Sequence, residues 1–260
     1  VIGVLSGGWL LLRTVRQWQG WRVRKHLQRD LPDRVAPLSP DVDQCWNDGV
    51  RLLRQSRLGR SGYFGSALHA LPWFMLLGDP SSDKSTLLAH SGLATPLRSA
   101  RHKVLNWWFF EHTVVLDPAK PLLDCASAWK RLLVRLARSR RREPLNGVIL
   151  AIAIERLQEK NNAYLQALGQ NLRQQVDDLV TVFGARLPVY LVLTGAERIE
   201  GMHEWAASLN QDQRQQALGL LADAGDADAQ GFLDKVLGEI NRRLFELRID
   251  LGQRGLPSAQ

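Results

Sequence analysis

The sequence predicts an α/β protein: a mostly parallel sheet flanked by helices, preceded by N-terminal helices and followed by a C-terminal helical extension. Three observations carry this. Gly147-Val-Ile-Leu-Ala-Ile-Ala-Ile154 and Leu187-Pro-Val-Tyr-Leu-Val-Leu193 are near-continuous apolar runs, the pattern of strands buried on both faces. A long polar stretch of about 160–183 lies between them, and a helix joining two such strands implies a parallel pair with a right-handed crossover. After Gly201 the strand signals stop, and residues 204–222 and 228–251 carry helical spacing instead, the second with Phe232, Val236, Ile240, Leu244 and Leu251 along one side.

The elements follow in order. Residues 41–57 place Val42, Trp46, Val50 and Leu53 on one helical face, ended by Leu58-Gly-Arg-Ser-Gly62. A strand over 72–77 leads through a loop into a helix from Lys84 to Ser91, closed by Gly92. Trp107-Trp-Phe-Phe110 and Thr113-Val-Val-Leu116 are two short apolar runs around Glu111-His112, a hairpin and the antiparallel exception in the sheet. Pro121 opens a helix that continues through Leu132, Leu133, Leu136 and Ala137 to the arginine cluster and stops before Pro144. Gly225-Asp226 is expected to turn between the last two helices, and Gly255–Gln260 reads as an unstructured end or a cut.

The N-terminal run Val1–Leu12 is uncharged, and Arg13, Arg16, Arg22, Arg24, Lys25 and Arg29 follow it with Trp18 and Trp21 interleaved. Basic and aromatic residues directly after an apolar run are what the positive-inside rule and the aromatic belt lead one to expect where a chain leaves a membrane. Twelve residues are too short to span a bilayer, so 1–12 reads as the end of a truncated transmembrane helix. A short core helix or a signal-peptide remnant is the alternative. The expected division is then 1–12 membrane, 13–62 juxtamembrane helical segment, 63–203 α/β domain and 204–260 helical extension.

Composition narrows the function. The formal charge is +8, but much of the excess lies in the N-terminal run and in Lys130–Arg142, which reads as a solvated helix face and C-terminal charge cluster, not a nucleic-acid stripe. Cys45 and Cys125 form no CxxC pair, and His69, His90, His102, His112 and His203 show no ligand spacing, so no metal site is expected. No G-x-S-x-G or Cys/His pairing suggests a nucleophile.

One motif carries chemistry. Between the strand at 72–77 and the helix at Lys84 stands Gly78-Asp-Pro-Ser-Ser-Asp-Lys-Ser-Thr86, which meets the phosphate-loop pattern G-x-x-x-x-G-K-[ST] at Gly78, Lys84 and Ser85, with Thr86 beside them. The second glycine is Asp83. Such a loop works by aiming backbone N–H groups and a lysine at a polyanion, and an acid opposes that. A carboxylate about 4 Å from a phosphate charge costs roughly 4 kcal/mol at an effective dielectric near 20, or several hundredfold in affinity. Asp79 adds a second acid, although Asp tolerates the left-handed backbone better than most residues. The bland reading is that Lys84, Ser85 and Thr86 merely open a helix.

Read in series, Leu71-Pro-Trp-Phe74, Leu77-Gly78 and the loop, Leu87-Leu-Ala-His-Ser-Gly-Leu93, Asn106-Trp-Trp-Phe109, Val115-Leu-Asp117, Arg141-Arg-Glu-Pro-Leu-Asn-Gly-Val148 and the strand from Leu187 resemble the cytoplasmic region of the IcmF/TssM proteins, over about residues 1–250. These are inner-membrane components of bacterial type VI secretion systems. The resemblance implies a P-loop GTPase-like fold anchored on the cytoplasmic side of the inner membrane within a multimeric complex. Its implied partners are TssL and baseplate components, with the lipoprotein TssJ reached through a periplasmic region outside this sequence.

The same resemblance shows where this chain departs. Relatives carry D-T-A-G at the second phosphate motif; here it is Asp117-Pro-Ala-Lys120. Asp117 keeps a carboxylate that, with Ser85, can hold Mg²⁺, but the glycine amide that meets a γ-phosphate has become Lys120, and Pro118 removes a further donor. The base-reading T-K-x-D stands as Thr194-Gly-Ala-Glu197. Glu197 still offers acceptors to a guanine edge; Gly195 cannot cover the base plane. With all three motifs altered, a scaffold that binds no cofactor is expected ahead of a divergent switch that takes GTP or ATP with Mg²⁺. Asp117 is otherwise a turn residue, and Trp107 and Trp108 are either core or a base-stacking platform.

Overall fold

The computed structural model describes residues 40–60, 67–79, 81–95, 97, 100, 102–158, 161–210 and 229–253. The expected membrane segment 1–12, most of the juxtamembrane segment and the 211–228 part of the expected helix pair lie outside the described residues. The chain divides into two compact units, residues 1–195 and 196–260.

The first unit is built on a five-stranded sheet: β1 (Trp73–Gly78), β2 (Leu105–Phe109), β3 (Val114–Pro118), β4 (Gly147–Ala153) and β5 (Val189–Thr194), in the order β2-β3-β1-β4-β5. All pairs are parallel except β2–β3, the hairpin expected from the Trp-rich run. Its described helices are α1 (Pro40–Gln55), α2 (Arg57–Arg60), α3 (Lys84–Ala89), α4 (Lys120–Leu123), α5 (Ala126–Ser139), α6 (Ile154–Gln158) and α7 (Asn162–Phe183).

Packing is unequal on the two sheet faces. On one, Trp73, Met75, Leu77, Trp107, Phe109, Val114, Leu116 and Val148 meet Trp46 and Leu53 of α1, Leu132, Leu133 and Leu136 of α5, and Leu172, Leu179 and Phe183 of α7. At its centre Trp107 contacts Trp46 and Trp73 edge-on, each at 5.3 Å between ring centroids. Gly49 of α1 lies so close to the Trp107 indole that a Cβ has no room, which is why a glycine serves in mid-helix despite its cost of about 1 kcal/mol there. The other face carries a smaller cluster of Leu76, Trp108, Phe110, Val115 and Ala151 with Leu88 of α3. Both tryptophans of the pair are therefore core residues, one on each face, as strand alternation requires. Val189, Leu191 and Leu193 of β5 are exposed, so this strand departs from the expectation of burial on both faces; among the described residues it pairs only with β4.

Two predicted helices come out differently. The helix expected from Pro121 to the arginine cluster is split into α4 and α5, because Cys125 between them is extended at φ −101°, ψ 92°. It also ends at Ser139, since Arg140 leaves helical geometry and turns inward. The helix expected over 41–57 ends at Gln55, and α2 takes up the start of the glycine-rich segment.

Arg140 is 2% exposed and organises the start of the strands. Its guanidinium donates to Leu68 O, to Leu71 O at 3.1 Å, to Glu143 O at 3.0 Å and to Asn146 Oδ1 at 3.3 Å, and it lies 4.6 Å from the centroid of Trp73. Asn146 in turn accepts from Trp73 N at 2.8 Å and donates its own N–H to Trp73 O at 2.7 Å. One cation thus ties the entries of β1 and β4 together. Burial pushes the guanidinium pKa down to about 10, opposed by Glu143, so it remains charged at neutral pH.

The described part of the second unit holds a 3₁₀ turn (Ala196–Arg198), α8 (Met202–Ser208) and α9 (Ala229–Gln253). Gly201 starts α8 with a left-handed φ of 78°. Along α9 the predicted stripe Phe232, Val236, Ile240 and Leu244 is half-buried, while Leu233, Leu237, Phe245 and Ile249 are exposed. No described helix is long and apolar enough to cross a membrane.

Candidate functional site

Strand order locates the crevice before any motif does. From the central β1 the chain moves to β3 on one side and later to β4 on the other, so the strand order reverses between β1 and β4, and open parallel sheets place their ligand crevices at such a switch point, beyond the carboxyl ends of the strands. Gly78 ends β1 and Asp117 is the last residue but one of β3.

The loop leaves β1 tightly. A Cβ on Gly78 would strike the carbonyl of Ala151 in β4, and that carbonyl accepts Asp79 N at 3.1 Å. The turn is then closed by Ser82, whose N–H and Oγ donate to Asp79 O at 3.0 and 2.6 Å. Thr194 Oγ1 donates to Ser82 O at 2.9 Å, which fastens the loop to the end of β5.

Asp79 itself is 1% exposed. Its carboxylate accepts from Ser81 N at 3.2 Å, from Ser81 Oγ and from Tyr164 OH at 2.9 Å, and it faces Arg156 Nε at 3.5 Å. Arg156 Nε also donates to Ser81 Oγ at 3.0 Å and stacks 5.2 Å from the Tyr164 ring. Burial on its own would raise the Asp79 pKa; the hydrogen bonds from Ser81 and Tyr164 and the charge of Arg156 outweigh it, and the carboxyl is held below its ordinary value. An ionised carboxylate therefore sits inside the loop with donors directed at it.

The residues of the motif separate into two groups. Lys84 turns towards Asp117: Nζ lies 2.8 Å from Asp117 Oδ1, an ion pair without a well-aligned hydrogen bond, and donates to Pro118 O at 3.3 Å. Asn106 Nδ2 donates to the other Asp117 oxygen at 3.3 Å. Gly78, Lys84 and Asp117 thus converge at one end of the sheet. Ser85 and Thr86 follow on the exposed first turn of α3. Asp83 adopts φ 43°, ψ 48°, the left-handed conformation a glycine would supply, and its side chain makes no cap hydrogen bond. Glu197 belongs to the second unit, where it is exposed in the 3₁₀ turn.

Sequence reading missed Tyr164, Arg156 and Asn106. Tyr164 lies 85 positions from its partner and no local spacing marks it. Arg156 directly follows β4, and a cation there could have been suspected as the counterion of Asp79. Among the described residues no three His, Cys, Asp or Glu side chains cluster to hold a metal ion.

The model of the IcmF-related N-terminal domain matches residues 124–258. The chain is 30% identical over 196 residues to the type VI secretion system component TssM1 of Pseudomonas aeruginosa, covering 69% of this chain and 18% of that protein. No solved structure matches. The chain spans under a fifth of that relative's length. With more than half of its residues inside the family model, this chain belongs to the IcmF/TssM family.

Proposed function

We propose that this chain is a degenerate GTPase-like platform on the cytoplasmic side of a type VI secretion inner-membrane component, retained for its shape and not for nucleotide chemistry. One observation carries the reading: the two groups that would serve a nucleotide are already engaged within the chain. The loop amide of Ser81 and the side chains of Ser81, Tyr164 and Arg156 are directed at the Asp79 carboxylate, and Lys84 is paired with Asp117. A phosphate entering this loop would meet a buried negative charge first, and a low-dielectric site magnifies that repulsion. The family then supplies the role: a platform for a TssL-like membrane protein and baseplate components, with a TssJ-like lipoprotein reached by the periplasmic part of the longer protein.

A second reading, a divergent switch that takes GTP or ATP with Mg²⁺ held by Ser85 and Asp117, draws on the left-handed backbone at Asp83, since the loop geometry survives the loss of glycine. Titration with fluorescent GTP and ATP analogues in Mg²⁺ separates the two. The platform reading expects no saturable binding at physiological nucleotide concentration. Micromolar binding that disappears in Lys84→Ala overturns it.

A further inference from the structure

We propose that the strand-start end of the first unit, opposite the loop, is a docking surface for a membrane leaflet carrying anionic lipid headgroups. The topology assembles this surface from distant pieces. α2 packs against the 3₁₀ turn Ala67–His69, whose Leu68 carbonyl is held by Arg140. Asn146 is bonded to Trp73 at the entry of β1, and Val148 N to Pro188 O at the entry of β5. One end of the sheet therefore gathers the last turns of α1 and α5, α2, the segment before β4 and the loop between α7 and β5.

What these pieces bring is arginine. Arg54, Arg57, Arg138, Arg141, Arg142 and Arg186 are all exposed there, against Glu111 in the β2–β3 turn and the half-buried Glu143. The imidazole of His69 registers the crowding: burial, then the charges of Arg140 and Arg142, lower its pKa, with Glu143 opposing. The other end of the sheet is different in kind, with Asp79, Asp83, Asp117, Asp124 and Glu155 offsetting Lys84, Lys120 and Arg156. Arginine at the C-terminal ends of helices also complements their dipoles. That accounts for Arg54 and Arg138, on the last turns of α1 and α5, and not for Arg186 in a loop.

A lipid phosphate fits this surface. A guanidinium is weakly hydrated and binds phosphate oxygens in a forked geometry, and a basic residue near an anionic leaflet strengthens attachment about fivefold. The uncharged Val1–Leu12 and the Arg- and Trp-bearing run after it would tether this unit near a leaflet, where a raised local concentration makes a weak basic surface effective. The proposal rests on the membrane placement given above, whose own failure would show in fractionation of the native protein and not in vesicle binding.

The test uses the 260-residue chain with phosphatidylcholine vesicles, alone or containing phosphatidylglycerol. The variant R57E/R141E/R186E is compared with K103E/K120E/K130E, which changes net charge equally. The first should bind phosphatidylglycerol vesicles about a hundredfold more weakly than the parent chain, with the loss steepest at low salt; the second should differ little. On vesicles, amide exchange should slow at 141–146 and 185–187 and stay unchanged at 120–124. An equal loss in both variants, undiminished attachment to pure phosphatidylcholine, exchange protection absent from 141–146 and 185–187, or tighter binding to single-stranded RNA than to vesicles would overturn the assignment.

Discussion

The two ends of the sheet handle buried charge in opposite ways. At the strand-start end a single cation, Arg140, is surrounded by backbone carbonyls and Asn146, so its charge is used to close loops whose acceptors have no strand partner. At the strand-exit end two buried carboxylates, Asp79 and Asp117, are met by side chains from elsewhere in the chain: Tyr164, Arg156, Lys84 and Asn106. The first arrangement builds the fold. The second occupies a crevice whose strand order would otherwise serve a ligand. The contrast teaches that a loop whose sequence follows the phosphate-loop pattern can have its electrostatics turned inward, provided the sheet is held from the other end.

The largest effect should come from that other end. Arg140→Met keeps most of the volume and leaves the carbonyls of Leu68, Leu71 and Glu143 without their donor in a buried site. Stranding buried polar partners costs about 3–5 kcal/mol, read as a lowered urea midpoint with unchanged slope. A loss under about 1 kcal/mol would mean that β1 and β4 are held without the arginine, and the division of roles between the two ends would fail.

Asp79→Asn should cost less, about 1–3 kcal/mol, because the amide keeps the shape and loses the charge that Arg156 and Tyr164 satisfy. Its signature is in pH. With the folded-state carboxyl held below its ordinary value, the unfolded chain takes up the proton first as pH falls. The stability that Asp79 contributes is therefore complete above about pH 4 and is lost in stronger acid. The Asn variant should be less stable at neutral pH, and its deficit should shrink as pH falls below the ordinary carboxylate range. Parallel acid profiles would show that the carboxylate is not what fastens the loop to Tyr164.

Much of this was legible in the sequence, and the reasons are physical. β1, β4 and the β2–β3 hairpin announce themselves through apolar runs, because these strands are covered on both faces, the edge strand β2 included. The loop outline was legible because glycine, lysine and hydroxyl positions follow from local backbone geometry. β5 was legible as a strand and misjudged as buried, since an apolar run does not reveal how much of it is covered. The α4–α5 break and the inward turn of Arg140 were not legible: an arginine in a run of arginines looks solvated, and only the carbonyls of Leu68 and Leu71, some 70 positions earlier, give it a reason to be buried. The pairing of Asp79 with Tyr164 is hidden for the same reason, being a contact of high sequence separation with no periodic trace.

The smallest expected effect is the sharpest on function. Asp83 holds φ 43°, a conformation that disfavours most residues by roughly 1–2 kcal/mol and aspartate by less. Glycine would remove that strain but adds unfolded-state freedom worth about 0.4–1 kcal/mol. The two nearly cancel, so Asp83→Gly should shift stability by under about 0.5 kcal/mol. If Asp83 were the obstacle to nucleotide, this near-silent change would restore micromolar binding of a fluorescent GTP analogue. On the platform reading the stronger obstacle lies elsewhere, in the buried Asp79 carboxylate and in a lysine already paired with Asp117. Asp83→Gly alone should therefore leave binding undetectable. Restored binding would show that the strand-exit end was emptied by one residue and not filled by four.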